Sequence, residues 1–357
     1  MDNLLIGDVR EKLKELDDCS VQCCVTSPPY WGLRDYGTAE WEGGDENCSH
    51  IEQKCLASDK NTLNTGKKGK QYTTISMQYK SVCKKCGAKR KDSQLGLEET
   101  PEEYVENMVN VFREVKRVLK DDGTCWLNLG DTYSATRWSN TPSTTGISTT
   151  ESDIVLQKKT KLPDKNLVGI PWRVAFALQQ DGWYLRQDII WNKPNPMPES
   201  VQDRCTKSHE YIFLLTKSAR YYYDADAIRE DCITGNGAEQ GVAGGKRFGA
   251  ESNAKGKVSG FGERVLRNNP KGRNKRSVWT ITTKPFKDAH FAVFPIEIPT
   301  YCIRAGSRAG DIVLDPFMGS GTTALASQEN GRKWIGVELN PEYVKIIKKR
   351  TQQQVLF

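Results

Sequence analysis

Ser27-Pro28-Pro29-Tyr30 sets a hydroxyl, two stiffening rings and a phenol within four positions. An amine attached to an aromatic ring is a poor nucleophile, because its lone pair is delocalised into that ring. Two acceptors placed tetrahedrally about its hydrogens would draw the nitrogen toward a localised lone pair. The Ser27 hydroxyl and the Pro28 carbonyl suit that task, since Pro28 and Pro29 fix φ, remove donors and keep the turn out of a sheet ladder. Tyr30 offers a face on which a flat heterocycle can stack. Taken alone, the tetrapeptide also reads as a rigid strand-end turn carrying an aromatic.

A second constellation lies near the C-terminus, in Val313-Leu314-Asp315-Pro316-Phe317-Met318-Gly319-Ser320-Gly321-Thr322-Thr323. An apolar run ends in Asp315, a glycine turn follows, and helical spacing opens at Thr322. In doubly wound sheets such a turn lets backbone approach a ligand, and an acidic residue ending the next strand, here Glu338, binds ribose hydroxyls. The turn lacks the third glycine of a dinucleotide fingerprint and the Gly-Lys-Ser/Thr ending of a phosphate loop. A nucleoside without phosphates suits it better.

The third constellation is Cys48, His50 and Cys55 followed by Cys83-Lys84-Lys85-Cys86-Gly87. A Cys-x-x-Cys-Gly knuckle presents two thiolates to one metal, and an upstream pair would complete a tetrahedral structural zinc. Cys48, His50, Cys83 and Cys86 are the expected ligands, with Cys55 a substitute for His50. Four protein ligands leave no open position for catalysis.

These residues need elements to hold them. Leu4 to Asp8 reads as a strand, Val9 to Leu16 as a helix, and Val21 to Val25 as a strand stopped at Thr26 or Ser27 by the prolines. From Ala39 to Leu95 the apolar period disappears, which marks an insertion. Thr100, Pro101 and Glu103 form a helix start, the helix runs through Leu119, and Asp121-Asp122-Gly123 ends it. Thr124 to Leu129 is then a strand, Trp172 to Gln180 a helix, and Gly182 to Trp191 and Glu210 to Thr216 strands. Tyr133 to Lys161 is a Ser/Thr-rich loop. Asp311 to Leu314, Thr322 to Asn330, Trp334 to Glu338 and Pro341 to Gln354 complete a βαβα unit. His209, at a strand edge, reads as a packed histidine with no acid-base role.

The chain has 357 residues and a formal net charge of +7. No run approaches the roughly 18 to 20 apolar residues of a membrane span, and Met1 to Arg10 lacks a secretion signal, so a membrane is excluded as partner and a cytoplasmic location is expected. There the eleven cysteines stay reduced, and their odd number argues against a disulfide framework. The positive excess gathers in Cys232 to Arg276, where ten Lys and Arg face three Glu, as a nucleic-acid-binding face requires.

Together the two turns resemble the S-adenosylmethionine-dependent amino-methyltransferases. The Ser-Pro-Pro-Tyr turn preceding the Phe-x-Gly-x-Gly turn resembles the β class, the permuted DNA methyltransferases. The resemblance implies an α/β fold: a Rossmann-like doubly wound core with a mainly parallel sheet, a small zinc-binding insertion and a DNA target-recognition insertion. The expected units are core residues 1–39, the cysteine-rich insertion 40–98, core 99–220, the target-recognition region 221–289 and core 290–357. It further implies that Asp8 contacts the cofactor's adenine, that Phe291 in His290–Pro295 covers its methionine end, and that Asp315, Phe317, Gly319, Gly321, Thr322, Thr323 and Glu338 complete the cofactor site. Ser27, Pro28, Pro29 and Tyr30 would methylate a base flipped from double-stranded DNA. In this family Ser at the first position usually marks cytosine N4, and Asp adenine N6. A homodimer and a separately acting restriction endonuclease are compatible with the class, as is a bacterial or phage-infected cell. Two rivals remain, a methyltransferase acting on RNA or protein glutamine and a non-enzymatic zinc-containing DNA-binding regulator, and the latter leaves both turns unexplained.

Overall fold

The computed structural model describes residues 3–32, 38–48, 54–55, 76–77, 82–83, 85–134, 160–231, 272–284 and 294–352. His50, Phe291, the loop 135–159 and the basic stretch 232–271 lie outside the described residues, as does the side chain of Cys55. Strands β1 (Asn3–Ile6) and β2 (Val21–Thr26) precede four short ones, β3 (Glu40–Glu42), β4 (Lys54–Cys55), β5 (Ser76–Met77) and β6 (Lys89–Lys91). Then come β7 (Leu119–Leu129), β8 (Tyr184–Asn192), β9 (His209–Thr216), β10 (Val278–Thr280), β11 (Ile312–Asp315) and β12 (Lys333–Glu338). The helices are α1 (Val9–Lys12), α2 (Pro101–Val118), α3 (Ile170–Gln180), α4 (Glu297–Gly306), α5 (Thr322–Glu329) and α6 (Pro341–Gln352).

Eight strands form one sheet in the order β1-β12-β11-β2-β7-β9-β8-β10. The pairs from β1 through β7 are parallel, β9 runs antiparallel to β7 and β8, and β10 is parallel to β8. Central strands are apolar on both faces because helices cover both. Cys24, Cys125, Leu127 and Phe213 face the layer built on α2 and α3, while Cys23, Val25, Trp126 and Leu214 face the one built on α4. The insertion contributes two separate antiparallel pairs, β3 with β6 and β4 with β5.

Local sequence explains the helix that buttresses the site. Thr100 accepts from the Glu103 N–H at 3.2 Å and Glu103 reaches back to the Thr100 N–H, a complete capping box worth about 1 kcal/mol. Tyr104, Met108, Val111, Phe112, Val115 and Val118 then recur on one face and are buried, each contributing about 1.5–3 kcal/mol.

Three departures from the sequence reading have physical causes. Asp121-Asp122-Gly123 does not separate α2 from β7, because the strand already starts at Leu119 and carries these residues as a bulge between the pairings Val21–Leu119 and Cys23–Thr124. The Gln22 amide donates to Asp122 Oδ1 at 3.1 Å and holds the bulge. Helix α3 begins at Ile170, not Trp172, since Asp131 Oδ1 accepts from the Gly169 and Ile170 N–H groups at 3.0 Å each. That cap comes from a distant turn. Helix α4, unforeseen in the sequence, exists because Ile298, Cys302 and Ile303 cover the face of the sheet opposite α2.

Candidate active site

From the junction of β11 and β2 the sheet extends to β12 and β1 on one side and to β7 and its antiparallel extension on the other. The carboxyl ends of β11 and β2 therefore flank the crevice where doubly wound sheets bind ligands. Asp315 lies behind it, at the end of β11. Its Oδ1 accepts from the Thr26 hydroxyl at 2.6 Å and the Phe317 N–H at 3.0 Å, and its Oδ2 from the Thr323 hydroxyl at 2.7 Å. Burial pushes its carboxyl up to about 6, against those three donors.

A cleft of about 640 Å³, counting its open mouth, lies along this edge, and Asp8, Ser27, Pro29, Phe317, Gly319 and Glu338 are among its walls. Such a volume admits a nucleoside-sized ligand. Glu338 ends β12 with Oε2 accepting from the Gly319 N–H and Oε1 from the Asn340 N–H, both at 2.7 Å. Burial raises it to about 7. Asp8, beyond β1, caps α1 through the Arg10 N–H at 2.9 Å and pairs with the Arg10 guanidinium. Burial opposes its charge, but the bonds to Arg10 prevail and its carboxyl sits below the usual range. No Lys or Arg is among the described lining residues, and Phe317, Leu95, Val337 and Leu339 supply an apolar surface. The walls suit sugar hydroxyls and a flat heterocycle, not phosphates.

The Ser27–Tyr30 turn is braced by α2 and by the last residue of the insertion. The Tyr104 hydroxyl donates to the Pro29 carbonyl at 2.9 Å, and buried Trp31 donates through Nε1 to the Glu98 carbonyl at 3.1 Å. Ser27 and Pro29 face the cleft, whereas Pro28 is buried and Tyr30 is outside its lining. The Tyr30 ring lies against Gly130, where a Cβ would come within 2.5 Å of Cε2. Its hydroxyl joins a network: Ser27 Oγ donates to it at 3.2 Å, and it donates to Glu210 Oε2 at 2.8 Å. Burial and the Glu210 carboxylate push the phenol well above its ordinary range. Asp315, Gly321, Thr322 and Thr323 stand behind the cleft and shape it without lining it. Gly321, at φ +82°, packs on Ile347 of α6.

A family model described as DNA methylase matches residues 21–349. The chain belongs to the N6/N4 DNA methylase family. It is 40% identical to the type II methyltransferase M.Cfr9I of Citrobacter freundii, over 98% of this chain and 87% of that protein. It is 38% identical to the type II methyltransferase M.SmaI of Serratia marcescens, over 97% and 89%. Among solved structures, the PvuII DNA methyltransferase (cytosine-N4-specific) shares the fold with a TM-score of 0.56 and 18% identity, covering 98% of this chain and 86% of that one. The Thermus thermophilus protein TTHA0409, complexed with S-adenosyl-L-methionine, matches with a TM-score of 0.53 and 20% identity over 100% and 95%.

This methylase also gathers three of the four expected metal ligands. The reactive atoms of Cys48, Cys83 and Cys86 lie within 4.8 Å of one another, and the Cys48 and Cys83 sulfurs are 3.8 Å apart. The knuckle is set by the Gly87 N–H donating to the Cys83 carbonyl at 2.8 Å, with Gly87 at φ +76°. Backbone hydrogen bonds at Asp45 and Ala88 lead in pulling the Cys86 thiol down to about 6. Of the basic stretch, the described members Arg273, Lys275 and Arg276 converge on Glu230, with Nε of Arg276 3.0 Å from Oε2.

Sequence reasoning missed several residues of this methylase's site. Ser93, Gln94 and Leu95, read as the end of an insertion, wall the cleft beside Asp8, and Arg10 donates to the Ser93 carbonyl at 3.2 Å. Asn128 and Glu210 accept from the Tyr30 hydroxyl, and Lys193 pairs with Glu210 behind it. Their one sequence signal was position, each standing at the end of an apolar strand run.

Proposed function

We propose that the chain transfers a methyl group from S-adenosylmethionine to the exocyclic amino nitrogen of a base flipped out of double-stranded DNA, with cytosine N4 as the target. The observation carrying this reading is that Ser27 and the Asp8, Gly319 and Glu338 group wall one cleft. S-adenosylmethionine supplies a sulfonium methyl, the electrophile that an amine can attack directly. Glu338 accepts from its ribose hydroxyls, Asp8 from its adenine amine, and Phe317 packs on its apolar parts. Ser27 Oγ and the Pro28 carbonyl accept the target amine's hydrogens, and no cysteine nucleophile is needed: Cys23 and Cys24 are buried, with thiols raised by burial. Cytosine rests on Ser at position 27, and target recognition is assigned to residues 221–289. Nucleoside mass spectrometry after incubation with unmethylated DNA and S-adenosylmethionine tests the reading. N4-methylcytosine is expected; N6-methyladenine overturns the base assignment, and no modified base with cofactor bound overturns DNA as substrate.

We further propose a structural zinc on Cys48, Cys83, Cys86 and His50. Two sulfurs bound to one tetrahedral zinc at about 2.3 Å stand about 3.8 Å apart, as Cys48 and Cys83 do. The ion would hold an insertion that has little apolar core, and it takes no part in transfer.

A further inference from the structure

Ser27 can accept a hydrogen from the target amine only if its own hydrogen points elsewhere. A hydroxyl carries one hydrogen, and aimed at the amine it would repel rather than accept. In the structure that hydrogen goes to Tyr30 Oη at 3.2 Å, and the Tyr30 hydrogen goes to Glu210 Oε2 at 2.8 Å. The Asn128 carbonyl oxygen, 3.2 Å from Tyr30 Oη, is longer and neutral and competes poorly with a carboxylate. Glu210 is itself fixed. Lys193 pairs with its Oε1, the Asn128 amide donates to its Oε2 at 3.3 Å, and the two charged side chains are only 15% and 18% exposed. Lys193 in turn sits 4.3 Å from the centre of the Trp191 ring.

We propose that Glu210 is a positioning residue that, through Tyr30, sets the direction of the Ser27 hydroxyl and leaves its lone pairs facing the cleft. An ionised carboxylate accepts only, so the phenol hydrogen must point toward it and the phenol oxygen must receive the Ser27 hydrogen. The chain of donors then has one polarity. A neutral group at position 210 would let both hydrogens reverse. This inference rests on the reading of Ser27 as an acceptor.

The test is single-turnover methyl transfer to DNA by Glu210→Gln, Tyr30→Phe and the double variant, with S-adenosylmethionine affinity and melting temperature measured on each. Either single change is expected to slow transfer at least about tenfold, with cofactor affinity within about twofold, and the double variant to be no slower than the slower single. Multiplicative losses, or losses that follow cofactor affinity, assign Glu210 a merely structural role and overturn the inference. If Glu210→Gln does not fold because Lys193 is left unpaired, Glu210→Gln combined with Lys193→Met, on wild-type and Tyr30→Phe backgrounds, asks the same question. Ser27→Ala separates the two levels. Wild-type transfer by Ser27→Ala overturns the acceptor reading and this inference with it. Inactive Ser27→Ala alongside unimpaired Glu210→Gln and Tyr30→Phe overturns this inference alone.

Discussion

The Thr26 hydroxyl donates to Asp315 Oδ1 at 2.6 Å, joining the end of β2 to the end of β11. One bond thus ties the residue before the Ser-Pro-Pro-Tyr turn to the residue that opens the glycine turn. Thr26→Val keeps the shape and removes the donor to a buried carboxylate. We expect a loss of about 2 kcal/mol in unfolding free energy by denaturant titration, with transfer rate falling more than base affinity. An unchanged unfolding midpoint would show that the bond does not couple the two turns.

The cleft carboxyls make stability depend on pH. Glu338 rises from 4.5 to about 7 and Asp315 from 3.8 to about 6, both by burial. Raised values mean that the folded chain holds more protons than the unfolded one between them. Their contribution is present in full below about pH 4 and is lost as pH climbs through about 7. Glu338→Gln removes the larger part, so melting temperature should fall less steeply from pH 5 to 8 in the variant, a difference on the order of 2–3 kcal/mol across the range. The slope is the readout, because glutamine also disturbs the bonds to Gly319 and Asn340 at every pH. Parallel curves would show that Glu338 titrates normally.

Gly130→Ala should push Tyr30 off its seat, since the new methyl would meet Cε2 at 2.5 Å. Overpacking of this kind costs about 1–3 kcal/mol. Slower single-turnover transfer with cofactor binding retained is the expected result, and a wild-type rate would show that the ring's position is unimportant.

The cysteine cluster gives a prediction independent of activity. The purified chain should contain one zinc per molecule by elemental analysis, and Cys83→Ser should lose it. Removing the ion should expose the residue 40–98 segment to proteolysis before the core unfolds. Full zinc content in Cys83→Ser would rule out Cys83 as ligand.

Much of this protein was determined by short-range sequence. Prolines 28 and 29 end β2 because they cannot continue a ladder, Thr100 and Glu103 start α2 because their side chains satisfy its orphan amides, and the Asp315 to Glu338 spacing fixes a strand, turn, helix and strand. Such signals act within a few residues and are readable one after another. What folding alone decided joins residues far apart in the chain. Glu210 approaches Tyr30 because β9 runs antiparallel to β7 and brings its first residues to the edge where the parallel strands end. Ser93 to Leu95 wall the cleft because Arg10 holds the Ser93 carbonyl and Trp31 the Glu98 carbonyl, and Asp315 turns inward because Thr26 and Thr323 meet it there. Residue types announced which chemistry was available, while the sheet order determined which atoms would stand within a hydrogen bond of one another.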